Sequence, residues 1–431
     1  MTTMLDAAAR RDLLPASAIP LAYFGAAYLG LFLALAALIA DPAIPGGFFY
    51  HPRMVALVHL VTLGWLTSSI LGALYIVAPL ALRLPLPARR ADWIAFALYT
   101  AGAIGMVAHF WIGEYEGMWW SAILVVAGTA HVGSRVLAGL PAAPVPWPIK
   151  LHVVFAFVNI GVAAAIGILI GIDRTRGALR IPPLAATYAH AHLAAVGWVT
   201  MMVVGLSYRL IPMILPAAMP AGPGLAWSAV LMEAGVAVLA IAFLFAPSWT
   251  VAGAVLIAAG LGAFVRQIRE TLRRRLPRPP ALPRRDWSAW QTHTALLWLL
   301  AAVSIGCLLS IGIPSQRQAG LAWIYGVAGL VGFMVQIVIG MQGRLVPLYA
   351  WYRQFAALGG QPPDRAANGL PSAAFARAIY IPWALGVPLL AWGLAAGHHL
   401  LIRGAAAILS AGLAIAWCYI VYLLRKVRSG S

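Results

Sequence analysis

Three histidines carry the chemistry that this sequence offers. His190 and His192 flank a single alanine in "YAHAHLAAVGWVTMMVVGLSYRLIPM", residues 188–213, and His59 opens a related string, "HLVTLGWLTSSILGALYIVAP". Neutral imidazole is a common metal ligand and the usual axial ligand of heme iron. Residues two apart on a helix point about 200° apart. His190 and His192 therefore cannot serve one metal on a regular helix, but they can serve two sites on opposite sides of it. A histidine that only hydrogen-bonds between helices is the competing reading. His152, His293 and His131 form a second candidate group, as metal ligands or as hydrogen-bonding side chains. Glu233, in "VLMEAGVAVL", is the clearest acid inside an apolar run, placed for proton handling or for a structural hydrogen bond. His51 and Arg53 are candidate partners for the acidic groups of a cofactor, whereas His109, His398 and His399 fall where solvated histidines are expected.

The elements that position these groups are membrane helices. Of 431 residues, 63% are hydrophobic and 9% charged, against about a quarter charged in a soluble domain. About 20 apolar residues cross the hydrocarbon as a helix, and the long unbroken runs exclude a transmembrane barrel. Twelve spans are predicted, over 20–41, 52–80, 91–111, 118–138, 149–172, 186–213, 225–246, 249–266, 292–313, 320–348, 377–396 and 400–424. The chain is read as all-α and polytopic, with the lipid bilayer as its first partner. The net charge of +18 does not point to nucleic acid, because the basic residues sit between spans. Arg10 and Arg11, Arg83, Arg89 and Arg90, Arg135 and Lys150, the stretch Arg266 to Arg285, Arg353 and Arg365, and Arg425, Lys426 and Arg428 alternate with acidic or uncharged turns; Arg174, Arg176 and Arg180 are the exception. By the positive-inside rule both termini face the cytoplasm of a bacterial inner membrane. The segment 1–19 carries no evident cleavable signal. Segments 267–291 and 349–376 read as cytoplasmic loops. Cys307 and Cys418 lie in spans, which makes a disulfide framework improbable. No CxxCH motif for covalent heme is present.

The two histidine strings are copies. Counting from His59, Gly64, Trp65, Gly72, Tyr75 and Pro79 stand at offsets 5, 6, 13, 16 and 20; from His192 the same offsets hold Gly197, Trp198, Gly205, Tyr208 and Pro212. A third copy, counted from Val327, holds Gly332, Phe333, Gly340, Gly343 and Pro347. The zero positions are 133 and 135 residues apart. This spacing predicts three related four-helix units, 20–138, 149–266 and 292–424, with 267–291 as the basic segment between the last two. On a regular helix the offsets 5, 13, 16 and 20 lie about 140° to 220° from the zero residue. The small residues then admit a neighbouring helix, the histidine faces elsewhere, and the proline ends the span. Arg209 and Arg344 share offset 17 and read as snorkelling cations; Asn159 and Gln336 read as packing between helices.

Twelve spans in three groups of four resemble the catalytic subunit of the heme-copper oxidases. The string His190-Ala-His192 with Gly197-Trp198, Gly205, Tyr208 and Pro212 is similar to the tenth-helix signature of the C-family oxidases. The resemblance implies twelve helices with pseudo-threefold symmetry and one or two b-type hemes. It implies iron ligation by His190 and His192; repeat symmetry adds His59, facing His190 across a pore. The departures are specific. The H-x-H lies in the second group, Val327 replaces the third histidine, and the seventh span holds Glu233 and no copper-binding histidine pair. A copper site is therefore not recognisable, and oxygen reduction to water is not expected. The NnrS group of heme- and copper-binding membrane proteins, tied to nitric oxide stress, is a second resemblance of similar length. Together these imply electron transfer, with a cytochrome or other donor as partner, or handling of a small gas such as nitric oxide. A twelve-helix secondary transporter and a cofactor-free accessory subunit that keeps the fold are the rival classes.

Overall fold

The computed structural model describes residues 12–46, 49–177, 182–214, 217–274, 277, 286–312, 315–361, 363 and 372–428. Arg10, Arg11, Arg180, Arg275, Arg278, Arg284, Arg285 and Arg365 lie outside the described residues. Twelve helices are long and apolar enough to cross a membrane. In chain order, spans 1 to 12 are Ile19–Ala40, Pro52–Ala81, Arg90–Ile112, Met118–Ala142, Trp147–Arg176, Pro183–Met213, Gly224–Phe245, Pro247–Arg273, Trp287–Ile311, Arg317–Ala357, Ala373–Ala396 and His399–Arg425. Large apolar side chains such as Ile104, Ile241, Leu297 and Leu300 are left exposed on the outside, where lipid solvates them.

Helix ends follow local chemistry. Asp286 caps span 9 by accepting from the Ala289 N–H at 3.1 Å, and Ser372 caps span 11 through the Phe375 N–H. Gly113 and Gly177, with φ of 77° and 59°, close spans 3 and 5 in the left-handed conformation that a side chain would oppose. Two boundaries depart from expectation. Span 8 continues to Arg273 and span 9 begins at Trp287, so helix enters the 267–291 segment from both sides. Span 10 does not end at Pro347 but runs through it to Ala357, turning part of the expected 349–376 loop into helix. Val346, Tyr349 and Ala350 are buried there and the Tyr349 hydroxyl donates to the Ser17 carbonyl, so tertiary packing outweighs the donor that proline lacks. Span 2 and span 6 do stop within two residues of Pro79 and Pro212.

Spans 2, 6 and 10 form the centre. Between 56% and 61% of each is buried, against at most 44% of any other span. Trp198 Nε1 of span 6 donates to Thr67 Oγ1 of span 2 at 3.2 Å, and Gln342 Nε2 of span 10 donates to Ser69 Oγ of span 2 at 3.3 Å. Spans 4 and 5, 8 and 9, and 12 and 1 touch around the outside; Trp417 of span 12 packs on Tyr28 of span 1 with ring centroids 5.0 Å apart.

Each central span is interrupted by π-helix, at Leu60–Thr67, Leu193–Thr200 and Val327–Val335. A π turn displaces carbonyls from their usual partners. Side chains take up two of them: Tyr99 OH and Ser68 Oγ donate to the Leu63 carbonyl at 2.6 and 3.0 Å, and Thr200 Oγ1 donates to that of Ala195 at 2.9 Å. The interruption also corrects the regular-helix geometry. Offsets 5 and 13 are eight residues apart, about 80° out of line on a regular helix, but about 20° once a π turn absorbs one residue. Both glycines then face one neighbour. A methyl on Gly64 would stand 3.1 Å from Gly30 Cα and one on Gly72 2.8 Å from Tyr23 Cβ, both in span 1. Gly197 and Gly205 meet Asn159 and His152 of span 5; Gly332 and Gly340 meet Trp298 and Thr292 of span 9. The small-residue face thus receives the helix that precedes it in sequence.

Candidate functional site

His59 and His190 each lie seven residues into their helices, about 10 Å along the axis. They meet across the gap between spans 2 and 6, ring centroids 6.3 Å apart and planes 23° apart. Each ring is fixed by its Nδ1. That of His59 bonds the Val55 carbonyl of its own helix at 2.8 Å, and that of His190 the Ala163 carbonyl of span 5 at 2.8 Å. A carbonyl can only accept, so Nδ1 carries the proton in both and Nε2 keeps its lone pair. This is the tautomer of a histidine that ligates through Nε2. Among the described residues neither Nε2 has a hydrogen-bond partner, and both residues are only partly buried. The walls are tailored to the rings. Phe110 of span 3 lies 4.7 Å from His59, centroid to centroid, and a methyl at Gly167 of span 5 would stand 2.9 Å from His190 Cε1. Two imidazoles that share one ion at about 2.0 Å each, from opposite sides, have ring centres on the order of 6 Å apart, the order of the separation seen here.

His192 faces the next gap. Its Nδ1 bonds the Tyr188 carbonyl at 2.8 Å and its Nε2 accepts from Tyr325 OH of span 10 at 3.0 Å. The two rings are 6.2 Å apart and 20° inclined, nearly the geometry of His59 and His190. Tyr325 stands two residues before Val327, as His190 stands two before His192. One rule describes both pairs: the zero residue of one central span faces the residue at offset minus two on the next. Phe243 of span 7 lies 5.0 Å from the His192 ring. Sequence reasoning missed Tyr325, although its offset was readable.

His51 and Arg53 sit at the start of span 2. His51 caps that helix, its Nδ1 accepting from the Arg53 N–H at 3.3 Å. Arg53 lies 5.6 Å over the Trp111 ring, with Asp41 4.0 Å away. Arg174, at the end of span 5, lies over the rings of Tyr50 and Tyr115 at 4.2 and 5.1 Å. Burial holds the Tyr115 phenol above its ordinary range, against the pull of Arg174, so that contact is cation to neutral ring.

The second histidine group is not assembled. His131 Nε2 bonds Asp92 Oδ1 at 2.9 Å, His152 bonds Ser228 Oγ at 3.1 Å, and His293 is exposed with Nδ1 on the Ala289 carbonyl. Each is engaged within its own set of helices, and among the described residues no three His, Cys, Asp or Glu side chains are grouped to hold a metal. Asp92 was not anticipated. It is wholly buried and accepts from Arg135 Nη1 at 2.6 Å, Tyr75 OH at 2.9 Å and the Arg89 N–H at 2.5 Å, as well as meeting His131. Its signal was an acid in the first turn of a span, beside Arg89 and Arg90. Glu233 Oε2 accepts from Asn159 Nδ2 at 2.7 Å; Asn159 also donates to the Phe155 carbonyl, about two turns along span 5 from the Ala163 carbonyl that holds His190. Arg209 Nε reaches the Ala81 carbonyl and Arg344 pairs with Asp286, so both cations are engaged by protein.

No family model matches the chain. No curated protein matches it at a significant level.

Proposed function

We propose that the chain is a b-type heme protein of a bacterial inner membrane, with the fold plan of the heme-copper oxidase catalytic subunit. Its job is electron transfer or the handling of a small gas such as nitric oxide. The supporting observation is the His59–His190 pair: two imidazoles from different central spans, 6.3 Å apart, both held by Nδ1 and both open at Nε2. The reading takes residues 20–138, 149–266 and 292–424 as three related units around a pseudo-threefold axis. It is supported by the π segments at matching offsets and by the equivalence of the His59–His190 and His192–Tyr325 pairs. The gap between Val327 and Leu57, the residues that the same rule would pair, has no ligand.

In this reading His59 and His190 would hold the iron of one heme through Nε2, and His192 would hold that of a second by exchanging its hydrogen bond from Tyr325 OH for the metal. A bound heme supplies a one-electron redox centre, or an iron that takes a diatomic ligand where one axial position is open. The chain's own work is to present Nε2. The Val55 and Ala163 carbonyls lock the tautomer and turn both rings into the gap, and Phe110 keeps that gap apolar. Arg53, Arg174 and His51 stand at the helix ends nearest this gap and are the candidate contacts for the propionates. Glu233 is placed to carry a proton inside the membrane. Copper has no assembled site in this reading. The basic segments that join one set of span ends support both termini facing the cytoplasm, which leaves the histidine end outside, toward a cytochrome or other electron donor.

Optical spectroscopy of the purified chain tests the reading. A Soret band with sharp alpha bands on reduction is expected. His59→Ala and His190→Ala should each remove the spectrum of the six-coordinate heme, and His192→Ala should reduce total heme and leave that spectrum in place. A folded, colourless protein that accumulates a solute in vesicles would replace this reading with a transporter.

A further inference from the structure

Offset 16 is a tyrosine in two of the central spans. Tyr75 OH donates to Asp92 Oδ1 at 2.9 Å and Tyr208 OH shares a hydrogen bond with Ser228 Oγ at 2.8 Å, each reaching the first turns of the following span. In span 10 the same offset is Gly343. Gly343 itself lines a cavity with about 20 Å³ of room for water, together with Ser288, Gln291, Ser372 and Tyr419 among others. Ser372 caps span 11, so the cavity borders the start of the following span, as the two phenols do.

Gln291 is 2% exposed, lines this cavity, and has no hydrogen-bond partner among the described residues for either Oε1 or Nε2. A buried amide without partners is costly, and native proteins satisfy such groups with protein or ordered water. A cavity holds a water once about 10–15 Å³ is open to its centre, provided two to four polar partners converge. The Gln291 amide supplies a donor and an acceptor, and Ser288 and Tyr419 line the same space, the Tyr419 hydroxyl accepting from the Ser372 N–H at 2.9 Å.

We infer that this cavity is a specific water site, in which a water bound to the Gln291 amide takes the place of the phenol that Gly343 lacks. The choice of position rests on the three-unit reading. The cavity and the unpartnered amide do not depend on heme.

Radiolytic hydroxyl-radical labelling of the full chain in lipid nanodiscs, read by mass spectrometry, tests it, because bound water yields radicals that oxidise the aromatic ring beside it. Tyr419, 5% exposed, should be labelled several-fold faster than Tyr99 and Tyr349, at 1% and 0%. The excess should vanish in Gln291→Leu, which removes the polar partners at near-constant volume, and in Gly343→Tyr, which fills the cavity. Labelling of native Tyr419 at the rate of Tyr99 overturns the proposal. So does an excess that survives Gln291→Leu in folded protein.

Discussion

Gly167 shows how tightly one residue sets the histidine site. A methyl there would stand 2.9 Å from His190 Cε1 and 3.1 Å from its Nδ1, so the ring must turn and weaken its 2.8 Å bond to the Ala163 carbonyl. Gly167→Ala should lower the heme-to-protein ratio several-fold without touching a ligand. Gly161→Ala, on the same helix with open space at its Cβ, should leave the ratio unchanged and serves as the control. Equal heme in the two variants would mean that the ring is not held where it stands. Asp92 is the residue-scale test of stability. Removing one partner of a buried ionic cluster costs about 3–5 kcal/mol, whereas an exposed i, i+4 pair contributes about 0.3–0.5 kcal/mol. Asp92→Ala should therefore lower the melting temperature in detergent far more than Glu270→Ala, whose partner is the exposed Arg274. At this scale the sequence drew the eye to histidines in register and left Tyr325, at a matching offset, and Asp92 unnoticed. His59, His190 and His192 stood out by register. Asp92, at the edge of the predicted span 91–111 beside Arg89 and Arg90, gave no sign of its role, because its partners His131 and Arg135 come from a helix some 40 residues away.

The central helices depart from regular geometry, and that departure predicts their tolerance to deletion. A π turn is one residue accommodated inside an α-helix without turning the flanks out of register. Deleting Ala194, within the Leu193–Thr200 segment of span 6, should let that segment relax to α-helix while His190 and Tyr208 keep their faces. Deleting Val203, in the regular stretch that follows, turns everything beyond it by about 100° and pulls Tyr208 off Ser228. Gel filtration should then show a folded, monodisperse peak for the first deletion and aggregate for the second; equal loss in both would rule out the single-residue account. Apolar run length made the spans legible, and the glycine offsets gave the packing face. The π segments were not legible, because an inserted residue leaves composition unchanged and only a comparison of facing partners exposes it. Pro347 misled for a related reason: proline disfavours a helix locally, but the burial of Val346, Tyr349 and Ala350 decides its length.

Among the described residues, spans 9 to 12 meet the rest of the molecule at spans 8, 1, 2 and 6, the last through Tyr325 OH on His192 Nε2, and this predicts that they can do so without a covalent link. Span 9 lies against span 8, span 12 against span 1 through Trp417 and through Arg403 Nε on the Ile39 carbonyl at 2.9 Å, and span 10 against span 2 at the centre. The twelve-span count was readable from hydropathy, but this closure was not, since it joins residues more than 360 positions apart. If packing rather than connectivity holds the ring closed, a chain cut between Pro277 and Asp286 and expressed as two pieces should assemble, with the larger piece retaining the smaller on affinity purification. Gln342 is the bond to test within that complex. It is 5% exposed, accepts from Tyr28 OH at 3.1 Å and donates to Ser69 Oγ at 3.3 Å, so Gln342→Leu breaks two polar contacts between the pieces while keeping the volume. Hydrogen bonds between membrane helices contribute about 0.6 kcal/mol each on average, which puts the joint loss at about 1 kcal/mol. Recovery of the smaller piece should fall measurably in Gln342→Leu and stay unchanged in Gln318→Leu, on the exposed first turn of the same span. Two pieces that never co-purify, although each is inserted in the membrane, would show that the connecting segment is needed to close the ring.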